Sequence, residues 1–172
     1  ATHIDFASID VAKRNGSKVK QQSNEKNNPS LSLLISSEDD LHLCNETTAD
    51  IYFQLPNHFE NKLSTFVELF KNNQRLIPWF PAVLIGKNYH AGVALLDTVK
   101  PKRIVSNNTG IAYAAYERGI SWTAGPYMNL VNSYSLLCLK EFFDCDGAFI
   151  SNEISQNQIK KITKPDNFKL TY

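Results

Sequence analysis

The stretch KRIVSNNTGIAYAAYERGISWTA, residues 102–124, carries the fold in miniature. Lys102 to Asn107 is a short run with Ile104 and Val105 at its centre, long enough for one strand. Gly110 to Arg118 is rich in Ala and Tyr, reads as a helix, and stops at Gly119, the residue type best suited to close a helix in a left-handed turn. Ser121 opens another apolar run that extends to Met128. One strand, one helix and a second strand separated by short polar turns make a parallel unit, because a strand must cross the sheet through a helix to return in the same direction.

Outward from this unit the pattern repeats. Apolar runs stand at Leu31 to Ser36, Asp50 to Leu55, Leu76 to Leu84, Lys102 to Asn107, Ser121 to Met128, Gly147 to Asn152 and Phe168 to Tyr172. Their starts recur every roughly 18 to 27 residues, room for a strand, a helix and two loops. The runs are nearly continuous rather than alternating, the mark of strands covered on both faces. Between them, Asn57 to Asn72 places Leu63, Phe66, Val67 and Phe70 on one helical stripe. Asn132 to Phe143 does the same with Leu136, Leu139 and Phe143, with Asn132 or Ser133 as its N-cap. Gln156 to Lys164 reads as a helix stopped by Pro165.

About seven strands and six helices predict an α/β fold with a parallel sheet: a (β/α) barrel of TIM type, incomplete as it stands. An open doubly wound sheet is the alternative, but no GxGxxG or Walker A turn follows any strand. Residues 1–30 are polar, rich in Lys, Asn, Gln and Ser, and predict a linker or arm. Residues 31–172 form the barrel segment. The chain opens on Ala1 and closes on a bare strand, so a piece of a longer protein is expected.

The 172 residues suffice for one domain, and the hydrophobic (42%) and charged (20%) fractions are those of a soluble globular protein. A net charge of +1 gives no global pull toward nucleic acid or an anionic membrane. No run approaches the about 20 apolar residues of a membrane span and no signal peptide opens the chain, which predicts a cytoplasmic protein. Cys44, Cys138 and Cys145 form neither a disulfide framework nor a CxxC pair. Asp144 and Asp146 flank Cys145 and predict a raised thiol pKa, not a nucleophile.

In parallel α/β folds the working face lies where the strands end. Those ends offer Gln54 and His58; Trp79 and Pro81; Asn107, Asn108 and Thr109; Gly125, Tyr127, Asn129 and Asn132; and Ser151, Asn152 and Glu153. Amides and hydroxyls orient substrates but do not move protons at neutral pH. Glu153 is the strand-end carboxylate of the later half and the candidate acid–base group. Asn107, Tyr127, Asn129 and Asn132 are candidates for substrate binding, although a cap accounts for one of the last two asparagines. His90 at a helix start is a weaker candidate for an anion contact. No GxSxG, HExxH or Cys–His arrangement is present, and no metal ligands are expected.

Three of these segments resemble a known family. Ile104 to Gly110 (IVSNNTG) with Ala112 to Ala115, then Ala124 to Ser133 (AGPYMNLVNS), then Phe149 to Ser155 (FISNEIS) are similar, in order and spacing, to consecutive strand–helix units of the collagenase-like peptidase family, peptidase family U-thirty-two. The segment order is most similar to the branch acting in ribosomal-RNA hydroxylation. The resemblance covers about residues 75 to 164. It implies a barrel fold and a parent protein that is a hydrolase of peptides or supports hydroxylation of RNA or the ubiquinone ring with cysteine-held iron–sulfur clusters. Peptide or RNA is then the expected partner, without a membrane. The family's Glu-x-Phe stretch and cysteine cluster are absent, so this segment by itself is expected to hold no cluster and to be inactive. A non-catalytic binding or assembly module with the same fold is the alternative. An unclosed sheet would also expose edges and favour self-association.

Overall fold

In the computed structural model, which describes residues 31–151 and 153–171, residues 102–124 form a strand, Arg103–Ser106, a helix, Thr109–Glu117, and a strand, Ser121–Ala124. Gly119 takes φ 63° just past the helix, where its missing side chain removes the left-handed penalty. Seven strands in chain order are β1 (Ser32–Ile35), β2 (Asp50–Gln54), β3 (Leu76–Phe80), β4 (Arg103–Ser106), β5 (Ser121–Ala124), β6 (Gly147–Phe149) and β7 (Lys169–Thr171). Six helices alternate with them: α1 (Leu43–Glu46), α2 (Leu63–Asn72), α3 (Lys87–Val99), α4 (Thr109–Glu117), α5 (Ser133–Phe143) and α6 (Gln156–Ile159).

All six strand pairings are parallel and the spatial order is the sequence order, β1 to β7. A doubly wound sheet reverses direction at a switch point; this one does not. The sheet also rolls up. Five strand spacings of about 4.8 Å would separate β2 from β7 by roughly 24 Å in a flat sheet. Instead Lys169 Nζ on β7 lies 4.0 Å from Asp50 Oδ2 on β2. The Phe149 ring on β6 stands 5.5 Å from Tyr52 on β2 and 4.8 Å from Trp79 on β3. The chain therefore forms a curled, all-parallel sheet, an incomplete parallel barrel whose described edges are β1 and β7.

Strand alternation then sorts the side chains. Tyr52, Ile77, Trp79, Val105 and Phe149 face inward and pack together as a small interior cluster. Ile51, Phe53, Phe80, Ile104, Trp122 and Ala148 face outward and join the helices in the large core. Below the inner cluster, at the starts of the strands, Arg103 pairs with Asp50. Burial, and then the Asp50 charge, push the Tyr52 hydroxyl above its ordinary pKa.

Several elements are shorter than the sequence predicts, each for a visible reason. β3 stops at Phe80 instead of reaching Leu84, because Pro81 has no N–H to carry the ladder on. β5 stops at Ala124 instead of Met128; Pro126 starts a 3₁₀ turn, Pro126–Met128. α2 starts at Leu63 rather than Asn57, since the N–H groups of Phe59 and Glu60 donate to the Asn88 side chain. α6 ends at Ile159 rather than Lys164; Thr163 N donates to Ser133 Oγ at 2.7 Å and not to a helical carbonyl. The arm predicted over residues 1–30, Asn152 and Tyr172 lie outside the described residues. No helix among the described residues is long and apolar enough to cross a membrane.

Candidate functional site

The carboxyl ends of β3, β4 and β5 are tied together by three consecutive side chains, Ser106, Asn107 and Asn108. Ser106 is fully buried; its Oγ donates to Asn108 O at 2.8 Å and accepts from Asn108 N at 3.1 Å, which tightens the turn after β4. Asn107 is buried as well. Its Nδ2 donates to Phe80 O at 3.0 Å and its Oδ1 accepts from Tyr127 N at 3.0 Å, so one amide bridges the loops after β3 and β5. Asn108 caps α4, accepting from Ile111 N at 3.0 Å, and its Nδ2 reaches Ala82 O at 2.9 Å.

Gly125 makes this arrangement sterically feasible. Its N–H donates to Ser106 O at 2.8 Å, and a Cβ at that position would lie 2.1 Å from Asn107 Oδ1. The β5 end thus lies directly against the Asn107 amide. With Tyr127 N anchored, the 3₁₀ turn presents the Tyr127 ring to solvent at 73% exposure. Asn129 follows at φ 52°, exposed, a left-handed position that asparagine tolerates better than most residues. Asn132 caps α5 by accepting from Ser135 N at 2.9 Å. At the end of β6, buried Ser151 accepts from Glu153 N at 3.2 Å, and the Glu153 side chain is exposed. Ser155 and Gln158 then form a capping box that opens α6.

Of the residues singled out from sequence, Asn107 and Tyr127 meet directly, through side chain and backbone. No hydrogen bond among the described residues joins Asn129, Asn132 or Glu153 to them. Asn107 and Asn132 spend their side chains on backbone groups, whereas Tyr127, Asn129 and Glu153 point polarity outward. The face combines aromatic surface with hydrogen-bonding groups and one carboxylate, a composition suited to holding a polar ligand.

Two polar features escaped the sequence reading. Asn88, buried at the start of α3, accepts from Phe59 N at 2.9 Å and Glu60 N at 3.3 Å, and its Nδ2 meets His58 Nδ1 at 3.1 Å. That single amide orders the loop after β2 and fixes the His58 ring. Nothing local in the sequence separates Asn88 from any other helix-start asparagine. The Asp50–Arg103 pair is the second, and its signal was available: both residues open strands at inward-facing positions. His90 is exposed beside the Tyr89 ring.

The three cysteines are free thiols. Cys44 and Cys145 are buried in the outer core, and Cys138 lies on α5. Cys145 Sγ donates to Gly147 O at 3.1 Å. Burial first, with the Asp146 charge adding, pushes its thiol up to about 12, so it stays protonated at neutral pH. Among the described residues no three His, Cys, Asp or Glu side chains stand together as a metal site.

No family model, no curated protein and no solved structure matches this chain.

Proposed function

We propose that this chain is the substrate-facing segment of a TIM-type barrel related to the collagenase-like peptidases, with the strand-end face from β4 to β6 as its binding surface. One observation supports the reading most: the three family-like motifs fall on three consecutive strand–helix turns, of which Asn107 and Gly125 lace the first two to each other. In this reading Tyr127 and Asn129 contact substrate, Asn107 and Asn132 hold the turns that present them, and Glu153 supplies the carboxylate. The substrate is a peptide or an RNA, and the remaining chemistry belongs to the rest of the parent protein. In that full-length protein, Asn129→Ala and Glu153→Ala together lower kcat/KM by about tenfold or more, while stability falls only by the about 1 kcal/mol that alanine costs at the left-handed backbone of 129. Full activity in the double variant overturns the proposal.

A second reading, a non-catalytic binding or assembly module, draws on the same geometry. Ser106, Asn107 and Asn108 direct their polar atoms to backbone partners and Asn132 caps α5, as a structural frame requires. Anaerobic iron analysis of the full-length protein separates the two: stoichiometric iron favours the enzyme, and its absence favours the module.

A further inference from the structure

At the opposite end of the sheet, where β2, β3 and β4 begin, a groove of about 540 Å³ opens between the strands and the C-terminal ends of α2 and α3. Phe70, Ile77 and Pro101 contribute apolar surface to it. Five cations line it, Lys71, Arg75, Lys100, Lys102 and Arg103, against a single carboxylate, Asp50. In a chain of net charge +1 that is a strong local imbalance.

The internal partners do not absorb it. Asp50 is already paired with Arg103 and approached by Lys169. Arg75 donates to the backbone carbonyls of Cys44 and Ala49. Lys71, Lys100 and Lys102 are exposed, and their side chains make no ion pair or hydrogen bond among the described residues. Lys71 in the last turn of α2 and Lys100 at the left-handed cap of α3 each complement a helix dipole. That accounts for them singly. It does not account for Lys102, nor for the convergence of all of them on one concave surface, where like charges repel unless an anion joins them.

We propose that this groove binds an organic phosphate of nucleotide size. The phosphates would sit among Lys71, Lys100 and Lys102, and the ring over the apolar surface. The volume lies inside the range of small-molecule sites, and a compact multivalent anion relieves the crowded cations better than scattered counterions do. The site lies at the other end of the sheet from the strand-end face, and its occupancy does not depend on the function proposed there.

The test is a fluorescence titration of the chain with N-methylanthraniloyl-ATP, using unlabelled ATP as competitor. Saturable binding displaced by ATP is expected. The variant Lys71→Gln/Lys100→Asn/Lys102→Gln, with asparagine chosen because it tolerates the left-handed backbone at 100, weakens it by about tenfold or more. Neutralising Lys160, Lys161 and Lys164, which lie elsewhere, leaves it unchanged, as does the Asn129→Ala/Glu153→Ala pair. No saturable binding, equal affinity in the groove variant, or an equal loss in the Lys160 set overturns the proposal.

Discussion

Replacing Gly125 by alanine tests whether the strand-end face is one laced unit. Gly125 has φ −78° and ψ 165°, an extended backbone that alanine adopts freely, so no dihedral strain enters. The whole effect is the added Cβ, which would lie 2.1 Å from Asn107 Oδ1, 2.5 Å from Cγ and 2.7 Å from Nδ2. Those separations are far inside contact distance, and the obstacle is a buried amide rather than the loose end of a long side chain. Asn107 must swing away, giving up its 3.0 Å bonds to Phe80 O and Tyr127 N. Each buried polar group left without a partner costs about 1–3 kcal/mol, so Gly125→Ala is expected to cost about 2–4 kcal/mol in urea unfolding. Asn107→Ala removes the obstacle along with the bonds. On that background the Gly125→Ala change should cost less than about 0.5 kcal/mol, a coupling of about 1.5 kcal/mol or more in a double-mutant cycle. Additive costs, or a Gly125→Ala protein as stable as the parent, would refute the lacing.

Two further outcomes follow from burial and from the open sheet. The unfolded Cys145 thiol ionises near 9.0 and the native one near about 12, so between those values the unfolded chain binds fewer protons and stability falls as pH rises. At pH 10 that loss is about 1.4 kcal/mol. Cys145→Ala, about 1 kcal/mol less stable at neutral pH for its small cavity, should lack this part of the alkaline decline; parallel stability–pH curves for the two proteins would argue against a buried neutral thiol. At high concentration the chain should self-associate through β1 and β7, the edges of the sheet among the described residues, and Leu34→Lys, at a half-exposed position on β1, should weaken that association. Sedimentation equilibrium showing a monomer throughout contradicts it.

The parallel barrel-like sheet was legible because burial on both faces leaves near-continuous apolar runs, and their spacing forces helical crossovers. Strand order was not in the pattern itself; the absence of nucleotide-binding turns only weakened the doubly wound alternative. Element ends were misjudged wherever a side chain from a distant element competes for a backbone group. Asn88 draws off the N–H groups of Phe59 and Glu60 across 29 and 28 residues, and Ser133 draws off Thr163 N across 30. Local propensity carries no trace of such partners. Cys145 shows the opposite case: the flanking aspartates correctly indicated a raised thiol pKa, but burial, which depends on the fold, is the larger cause.

The strand-end asparagines looked equivalent in sequence and are not equivalent in space. A buried amide is held in place only if its donors and acceptor find partners, and Asn107 finds both in the backbone of neighbouring loops. An amide so committed has little left to offer a ligand, so its contribution to binding is positional. It sets where Tyr127 and Asn129 stand. The side chains of those two residues, and of Glu153 on a later turn, make no hydrogen bond among the described residues, so a ligand would break none by engaging them. Substitution at Asn107 should therefore register first in stability, and substitution at Asn129 first in binding. That ordering, more than any residue type, separates the frame of this face from the part that recognises something.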